Sequence, residues 1–275
     1  MSMGISMSGL PLARSGKICQ DVAIEAAEMA GEMLLEGLKS GKKVTQKSRG
    51  NLVTDIDILV EENVIRFLRA EYPEFHILSE ESGSSLSSVQ GYTWVIDPLD
   101  GTNNYVFGVP FFCVNVALVK EREVLIGVTY DPVRKELFLA EKGCGAFLNG
   151  AKIQTSVESS LGKSLVGLDL GYEEQRGREL LSVASELWWR VHCLRLIGSA
   201  SLGLAYVACG RFNLYVHRYL YPWDIASGLV LVAEAGGRVV DWRGRPADIF
   251  SREIVAGNEK LCQQFISQYG EGGGG

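Results

Sequence analysis

The run Trp94-Val-Ile-Asp97-Pro-Leu-Asp100-Gly-Thr102 restricts what this chain can fold into more than any other stretch. Trp94 to Ile96 is a short apolar run and reads as a buried strand. The strand then delivers two carboxylates three residues apart, followed at once by Gly101 and Thr102. Pro98 fixes its own φ at about −65° and disfavours helix at Asp97, so both acids lie in a stiff turn at the strand's end. Gly101 lets the backbone approach a ligand closely, and Thr102 supplies a hydroxyl. Hard oxygen donors beside exposed N–H groups suit a divalent cation and a phosphate. Taken alone, Asp100-Gly-Thr102 also reads as a turn that caps the next helix, with Asp97 an incidental acid.

Three further acidic features recur at the ends of apolar elements. Asn51-Leu-Val-Thr54-Asp55-Ile-Asp57 opens a helical stretch that runs to about Glu71. His76-Ile-Leu-Ser79-Glu80-Glu81-Ser82 is a short apolar strand ending in paired glutamates. Far downstream, Tyr221-Pro-Trp223-Asp224 places an acid at the start of an apolar helix that runs to Glu234-Ala-Gly-Gly237. Each has a plainer reading: Asp57 as a first-turn acid favoured by the helix dipole, Glu80 and Glu81 as a solvated loop, Asp224 as a helix cap. Their recurrence at element ends favours one shared site.

In these residues the chain resembles the inositol monophosphatase family, magnesium-dependent and lithium-sensitive phosphatases of sugar phosphates. The resemblance runs from about Val22 to Asn258 and rests on Trp94–Thr102 and on Trp223-Asp224 leading into Glu234–Gly237. It implies a layered αβαβα sandwich of the inositol monophosphatase and fructose-1,6-bisphosphatase type. It implies that Glu80, Asp97 and the Leu99 carbonyl hold a first Mg2+, and that Asp97, Asp100 and Asp224 hold a second. A third ion would sit more weakly near Glu80. Asp57 and Thr102 would orient and deprotonate the attacking water, with Glu81 in support, and the Gly101 and Thr102 N–H groups would cradle the phosphate. Lys47, in Lys47-Ser-Arg-Gly-Asn51, matches the family's mobile-loop lysine. A homodimer is also implied.

The chemistry agrees independently. A phosphate monoester dianion repels an anionic nucleophile, and its uncatalysed hydrolysis is among the slowest reactions known. Clustered carboxylates repel one another and the substrate unless cations neutralise them, and an all-oxygen donor set favours Mg2+ over zinc. The haloacid-dehalogenase pattern Asp-x-Asp-Gly-Thr needs its acids at i and i+2, on one face of a strand. Here they stand at i and i+3 with a proline between, which predicts direct attack by water and no aspartyl-phosphate. A metal-dependent binding module without catalysis is the alternative reading; a degraded acid set would mark it, and no acid is missing here.

The net charge of −6 argues against nucleic acid or an acidic membrane as partner. No apolar run of spanning length is uninterrupted, and Met1 to Lys17 lacks the pattern of a signal peptide. The six cysteines show no paired spacing and read as free core thiols of a cytoplasmic protein. Helical spacing of Val22, Ala26, Met29, Ala30, Met33 and Gly37 predicts a first helix, and a second follows from about Asp57. Phe112–Val119, Val124–Tyr130, Glu136–Ala140 and Ala146–Leu148 predict an antiparallel meander. Strands at Leu165–Leu170, Cys193–Leu196 and Leu214–Val216 then alternate with helices near Gly177–Trp189, Ser199–Cys209 and Asp224–Ala235. The fold class is therefore α/β: an α+β lobe over 1–155, an α/β lobe over 156–270 that contributes Asp224, and a disordered tail at 271–275.

For the substrate, a small phosphorylated metabolite, the sequence leaves several readings open. Gly198-Ser199-Ala200 matches the family's substrate-contact segment, though Ser199 equally suits a helix cap. Seven residues before Asp224, where inositol-preferring members carry an acid, stands His217, followed by Arg218. A neutral or cationic group there would favour a second phosphate or another anion. Inositol 1-phosphate, fructose 1,6-bisphosphate, 3′-phosphoadenosine 5′-phosphate, histidinol phosphate and NADP are all compatible.

Overall fold

In the computed structural model, residues 9–39, 44–48, 51–82 and 91–270 are described. The expected tail at 271–275 lies outside them, as do Arg49 and Gly50 of the polar loop. The first part of the chain forms α1 (Cys19–Gly37), β1 (Val44–Ser48), β2 (Asn51–Thr54), α2 (Asp55–Glu71), β3 (His76–Ser79), β4 (Tyr92–Asp100) and α3 (Thr102–Phe107). The meander follows as β5 (Cys113–Lys120), β6 (Glu123–Asp131), β7 (Glu136–Glu141), β8 (Gly145–Leu148) and β9 (Ala151–Lys152). β3 to β9 make one seven-stranded sheet in sequence order, antiparallel except for the parallel pair β3–β4.

The second part forms β10 (Leu165–Asp169), α4 (Glu174–Leu187), β11 (Cys193–Leu196), α5 (Ala200–Ala208), β12 (Leu214–His217), α6 (Pro222–Glu234), β13 (Arg238–Val240), β14 (Ile254–Gly257) and α7 (Glu259–Tyr269). Its five-stranded sheet runs β11-β10-β12-β14-β13; the first three are parallel, and β14 and β13 are antiparallel. The expected alternation of strands and helices holds from β10 to α6, and β13 and β14 extend the sheet as antiparallel strands.

Period-two alternation sorts the strand residues into layers. Trp94 and Ile96 of β4 and Val114, Val116 and Leu118 of β5 pack on one face with α1 and α2. Val95, Ala117 and Val119 turn to the other face, where α5 and α6 lie. The far side of α5 and α6 meets Tyr215, Ile254 and Ala256 of the second sheet. Val166, Leu168, Leu214, Val216 and Val255 face outward under α4 and α7. The order is helices, sheet, helices, sheet, helices, the layered sandwich that the resemblance implied. Each fully buried Leu or Val in these stripes contributes about 1.5–3 kcal/mol from surface removed from water. The central layer is thin because small residues line it: a Cβ on Gly228 of α6 would lie 2.3 Å from the Leu204 side chain of α5.

Two element ends differ from the sequence reading, and both matter for the site. α2 starts at Asp55 rather than Asp57, because Thr54 caps it. β4 continues through Pro98 to Asp100, with its pairing register against β5 shifted between Asp97 and Asp100. All six cysteines are free, but only Cys19, Cys113 and Cys262 are buried; Cys144 is exposed, which corrects the expectation of a uniformly core set.

Candidate active site

The β4–α3 corner is the floor of the site. Pro98 and the Leu99 N–H, which donates to Asp97 Oδ1 at 3.0 Å, hold the corner tightly. Gly101 then takes φ +97°, and a Cβ there would meet the Phe111 carbonyl oxygen at 3.0 Å, so only glycine turns this corner without strain. Thr102 donates its hydroxyl to the Leu99 carbonyl (3.1 Å) and to Asp57 Oδ1 (3.3 Å). Asp57 itself is fixed by the cap of α2: the Thr54 N–H donates to its Oδ2 at 2.9 Å, and the Thr54 hydroxyl does so too. Asp57 is therefore both the first-turn acid of the plainer reading and the partner of Thr102.

A second corner follows β3. The buried Glu61 of α2 accepts from the Ser79 and Ser82 hydroxyls and, at 2.8 Å, from the Glu81 N–H. This clamp presents Glu80 and Glu81 side by side, and Lys47 of the β1–β2 hairpin donates to both, at 3.1 and 2.6 Å. The third wall is the start of α5. Ser199 Oγ and the Ser201 N–H donate to Asp100 Oδ2 at 2.8 and 2.7 Å. Ser199 also caps α5, as its plainer reading expected, and its hydroxyl donates to Asp100. The start of α6 completes the ring, where Asp224 accepts from the Tyr221 N–H at 2.7 Å.

These elements enclose a cavity of about 410 Å³ lined by Glu80, Asp97, Leu99, Asp100, Gly101, Thr102, Gly198, Ser199, Ala200, His217 and Asp224. Burial, together with the neighbouring Glu80, Asp100 and Asp224 carboxylates, pushes Asp97 well above the usual carboxylate range. Asp224 rises for the same reasons, burial first and then Glu80 and Asp100. Burial pushes Glu80 up to about 7 against the pull of Lys47. Burial raises Asp100 also, opposed by the Ser199 and Ser201 donors. Four acids drawn from three element ends thus share one buried pocket and oppose one another's ionisation.

As they stand, no three His, Cys, Asp or Glu side chains among the described residues are gathered closely enough to enclose an ion. The reason is visible in the bonds above: Asp100 is drawn to Ser199 and Ser201, Asp224 to Tyr221, and Glu80 to Lys47. The donor set still fits a hard divalent cation, being four carboxylates and a backbone carbonyl with no thiol or imidazole among them.

His217 lines this cavity but is not cationic. Burial holds its pKa down to about 3. Its Nδ1 accepts from the Tyr219 N–H at 3.0 Å, which leaves the proton of the neutral ring on Nε2. Arg218 is not in this cavity. Arg218, the first residue past β12, turns under α4, where it pairs with Glu179 (3.1 Å) and Glu253 (3.1 Å) over the Trp242 ring.

Comparison with known proteins agrees with this geometry. The sequence profile of the inositol monophosphatase family matches residues 18–271. The chain belongs to the inositol monophosphatase family. It is 38% identical to inositol monophosphatase 3 of Solanum lycopersicum over 272 residues, covering 94% of this chain and 100% of that one. It is 38% identical to the Nus factor SuhB of Xylella fastidiosa over 266 residues, covering 92% of this chain and 95% of that one. The solved structure of the extragenic suppressor protein suhB from Bartonella henselae superposes with a TM-score of 0.85 at 33% identity, covering 92% of this chain and 98% of that one. The Thermotoga maritima IMPase does so with a TM-score of 0.82 at 33% identity, covering 90% and 94%. Members of this family are phosphoric monoester hydrolases, and this chain is one of them.

Sequence reasoning missed several residues that hold this pocket in shape. Glu61 lies one residue from Val60 and three from Val64 in the buried stripe of α2; an acid in an apolar stripe is the signal that would have found it. Asp169, at the end of β10, accepts from the Ile197 and Gly198 N–H groups (2.8 and 2.7 Å) and from the Tyr215 hydroxyl (2.8 Å). Burial pushes Asp169 up to about 6. Asn104 of α3 donates to the Ile197 and Phe111 carbonyls, tying the Gly198 turn to the floor.

Proposed function

We propose that the chain hydrolyses a small phosphate monoester with Mg2+ bound by Glu80, Asp97, Leu99, Asp100 and Asp224. The observation that carries this reading is the convergence of four mutually repelling acids on a cavity whose floor also holds the Asp57–Thr102 pair. When bound, two or three Mg2+ ions would neutralise these acids, lower the pKa of coordinated water and stabilise the leaving alkoxide.

The chain's own residues do the rest. The Asp57 carboxylate accepts from the Thr102 hydroxyl, so the pair is arranged to take up a proton and orient a water on the floor. Burial raises the Asp57 pKa, against the Thr54 hydroxyl and N–H that oppose the rise, which makes it a stronger base than a surface aspartate. Gly101 and Thr102 would present N–H groups to the phosphate, and Glu81, joined to Glu80 through Lys47, supports the wall. Lys47 donates to Glu80 and Glu81 and would share Glu80 with a bound Mg2+. Gly198, Ser199, Ala200 and the neutral His217 form the substrate side of the cavity.

A reducing compartment is supported by the six free cysteines. No helix among the described residues is long and apolar enough to cross a membrane. A homodimer is supported by Trp188 and Trp189 just past α4, exposed at 64% and 70%, apolar surface that a second copy would cover. Family membership supports inhibition by lithium. The test is phosphate release from inositol 1-phosphate and the other candidate esters with Mg2+, with EDTA and lithium as controls. Release abolished by EDTA supports the reading; release unaffected by EDTA removes it.

A further inference from the structure

Beside the active-site cavity lies a second cavity of about 520 Å³, and Tyr219 lines both. Four arginines border the second cavity: Arg176, Arg218, Arg245 and Arg252. Three of them are held by acids. Arg218 pairs with Glu179 and Glu253, Arg176 with Glu179 at 3.2 Å, and Arg245 with Asp241 at 2.7 Å. Arg252 is different: among the described residues no carboxylate lies within ion-pair distance of it. Its guanidinium rests instead on two aromatic faces, 4.9 Å from the Tyr219 ring centre and 4.0 Å from that of Tyr221.

This perch is joined to the catalytic floor. The Leu220 N–H donates to the Arg252 carbonyl at 3.0 Å, and Leu220 lines the active-site cavity. Tyr221 donates its N–H to Asp224 and stacks on Trp223 at 5.1 Å with a 5° tilt. A guanidinium stacked on rings keeps its edge N–H groups for an in-plane partner and loses little freedom on binding one. The fork of those N–H groups matches phosphate or carboxylate oxygens.

We propose that Arg252, on its Tyr219–Tyr221 platform, binds a second anionic group of the substrate, a phosphate or carboxylate distal to the phosphate that is cleaved. The inference rests on the phosphatase reading and assigns its substrate class: a phosphate monoester with a second anion, rather than a neutral polyol monophosphate. The cation next to His217 in sequence, Arg218, is excluded by its pairing with Glu179 and Glu253, and Lys47 by its pairing with Glu80 and Glu81; Arg252 stands across Tyr219 from the active-site cavity.

Matched substrate pairs test this. Fructose 1,6-bisphosphate is compared with fructose 1-phosphate, and 3-phosphoglycerate with glycerol 1-phosphate, using wild type, Arg252→Gln and Arg252→Lys with Mg2+. A charge-assisted pair of this kind is worth about a 10- to 100-fold difference. The wild type is expected to prefer the member with the second anionic group in at least one pair through KM. Arg252→Gln should collapse that preference about 10- to 100-fold by raising KM with little change in kcat, and Arg252→Lys should restore part of it. Whichever pair responds identifies phosphate or carboxylate as the second anion. An Arg252 that only staples two tyrosines would instead lower kcat/KM for both members of a pair alike, and that result overturns the proposal, as does a wild type that prefers the esters without a second anionic group. If Arg252→Gln does not fold, the Arg252→Lys ratios alone decide. Absence of any EDTA-sensitive hydrolysis is a distinct outcome: it removes the phosphatase reading and this inference with it.

Discussion

Asp97→Asn separates what the acidic cluster costs from what it does. Asparagine is nearly isosteric, and its side-chain oxygen can still accept the Leu99 N–H bond. The substitution removes one buried charge from a pocket in which Glu80, Asp100 and Asp224 all oppose it. Glu80 gives the scale. It is held at about 7 rather than 4.5, and at about 1.4 kcal/mol per pH unit this is about 3 kcal/mol against its ionised form above pH 7. Burial, the larger cause, remains in the variant, so relief of about 1–2 kcal/mol is expected, or about 2–8 °C in melting temperature. The signs follow directly. A carboxyl raised in the fold binds its proton more tightly folded than unfolded, so its stabilising share is complete below about 4.5 and is lost as pH rises through about 7. Metal-free wild type should therefore melt higher at pH 5.5 than at pH 8, whereas Asp97→Asn should show a smaller difference and melt above wild type at pH 8. Saturating Mg2+ should reverse the order at pH 8, stabilising wild type and not the variant. Differential scanning fluorimetry in EDTA and in Mg2+ at the two pH values measures all of this. A variant that melts below wild type in EDTA at pH 8 would refute the argument that the four acids repel one another in the folded chain.

Asp57→Asn should lower kcat about 10²- to 10⁴-fold with little change in KM, because it removes the proton acceptor while leaving the cap of α2 in place; a change confined to KM would contradict the assignment. Thr54→Ala should cost about 1 kcal/mol in stability through the lost cap and, by loosening Asp57, lower kcat as well. A loss of stability with kcat unchanged would show that Asp57 needs no support from Thr54. Gly101→Ala faces a φ of +97° and a carbonyl at 3.0 Å, so it should cost about 1–3 kcal/mol and much of the activity; a melting point equal to wild type would show that the corner has room.

Much of this site was legible because each acid ends or begins an apolar element. Trp94-Val95-Ile96 alternates between two buried layers, and a strand buried on both faces must end where its charges begin. Arg218 went unread because it stands just past the end of β12, where no strand period fixes its direction, and its acid partners Glu179 and Glu253 lie far from it in the chain. Arg252 could not be found by spacing, because the rings that hold it lie 31 and 33 residues earlier in the chain. The strands β13 and β14 are three and four residues long, too short for any period to show. Glu61 and Asp169 act only through backbone N–H groups and hydroxyls that the fold brings to them, and no local motif announces such partners.

The most direct test of the central claim is phosphate release by wild type and Asp97→Asn across the candidate esters, with Mg2+ and with EDTA. Wild type is expected to hydrolyse at least one ester in a reaction that EDTA abolishes and Mg2+ restores, and the folded Asp97→Asn protein none. Hydrolysis that persists in EDTA, or full activity in Asp97→Asn, would contradict it.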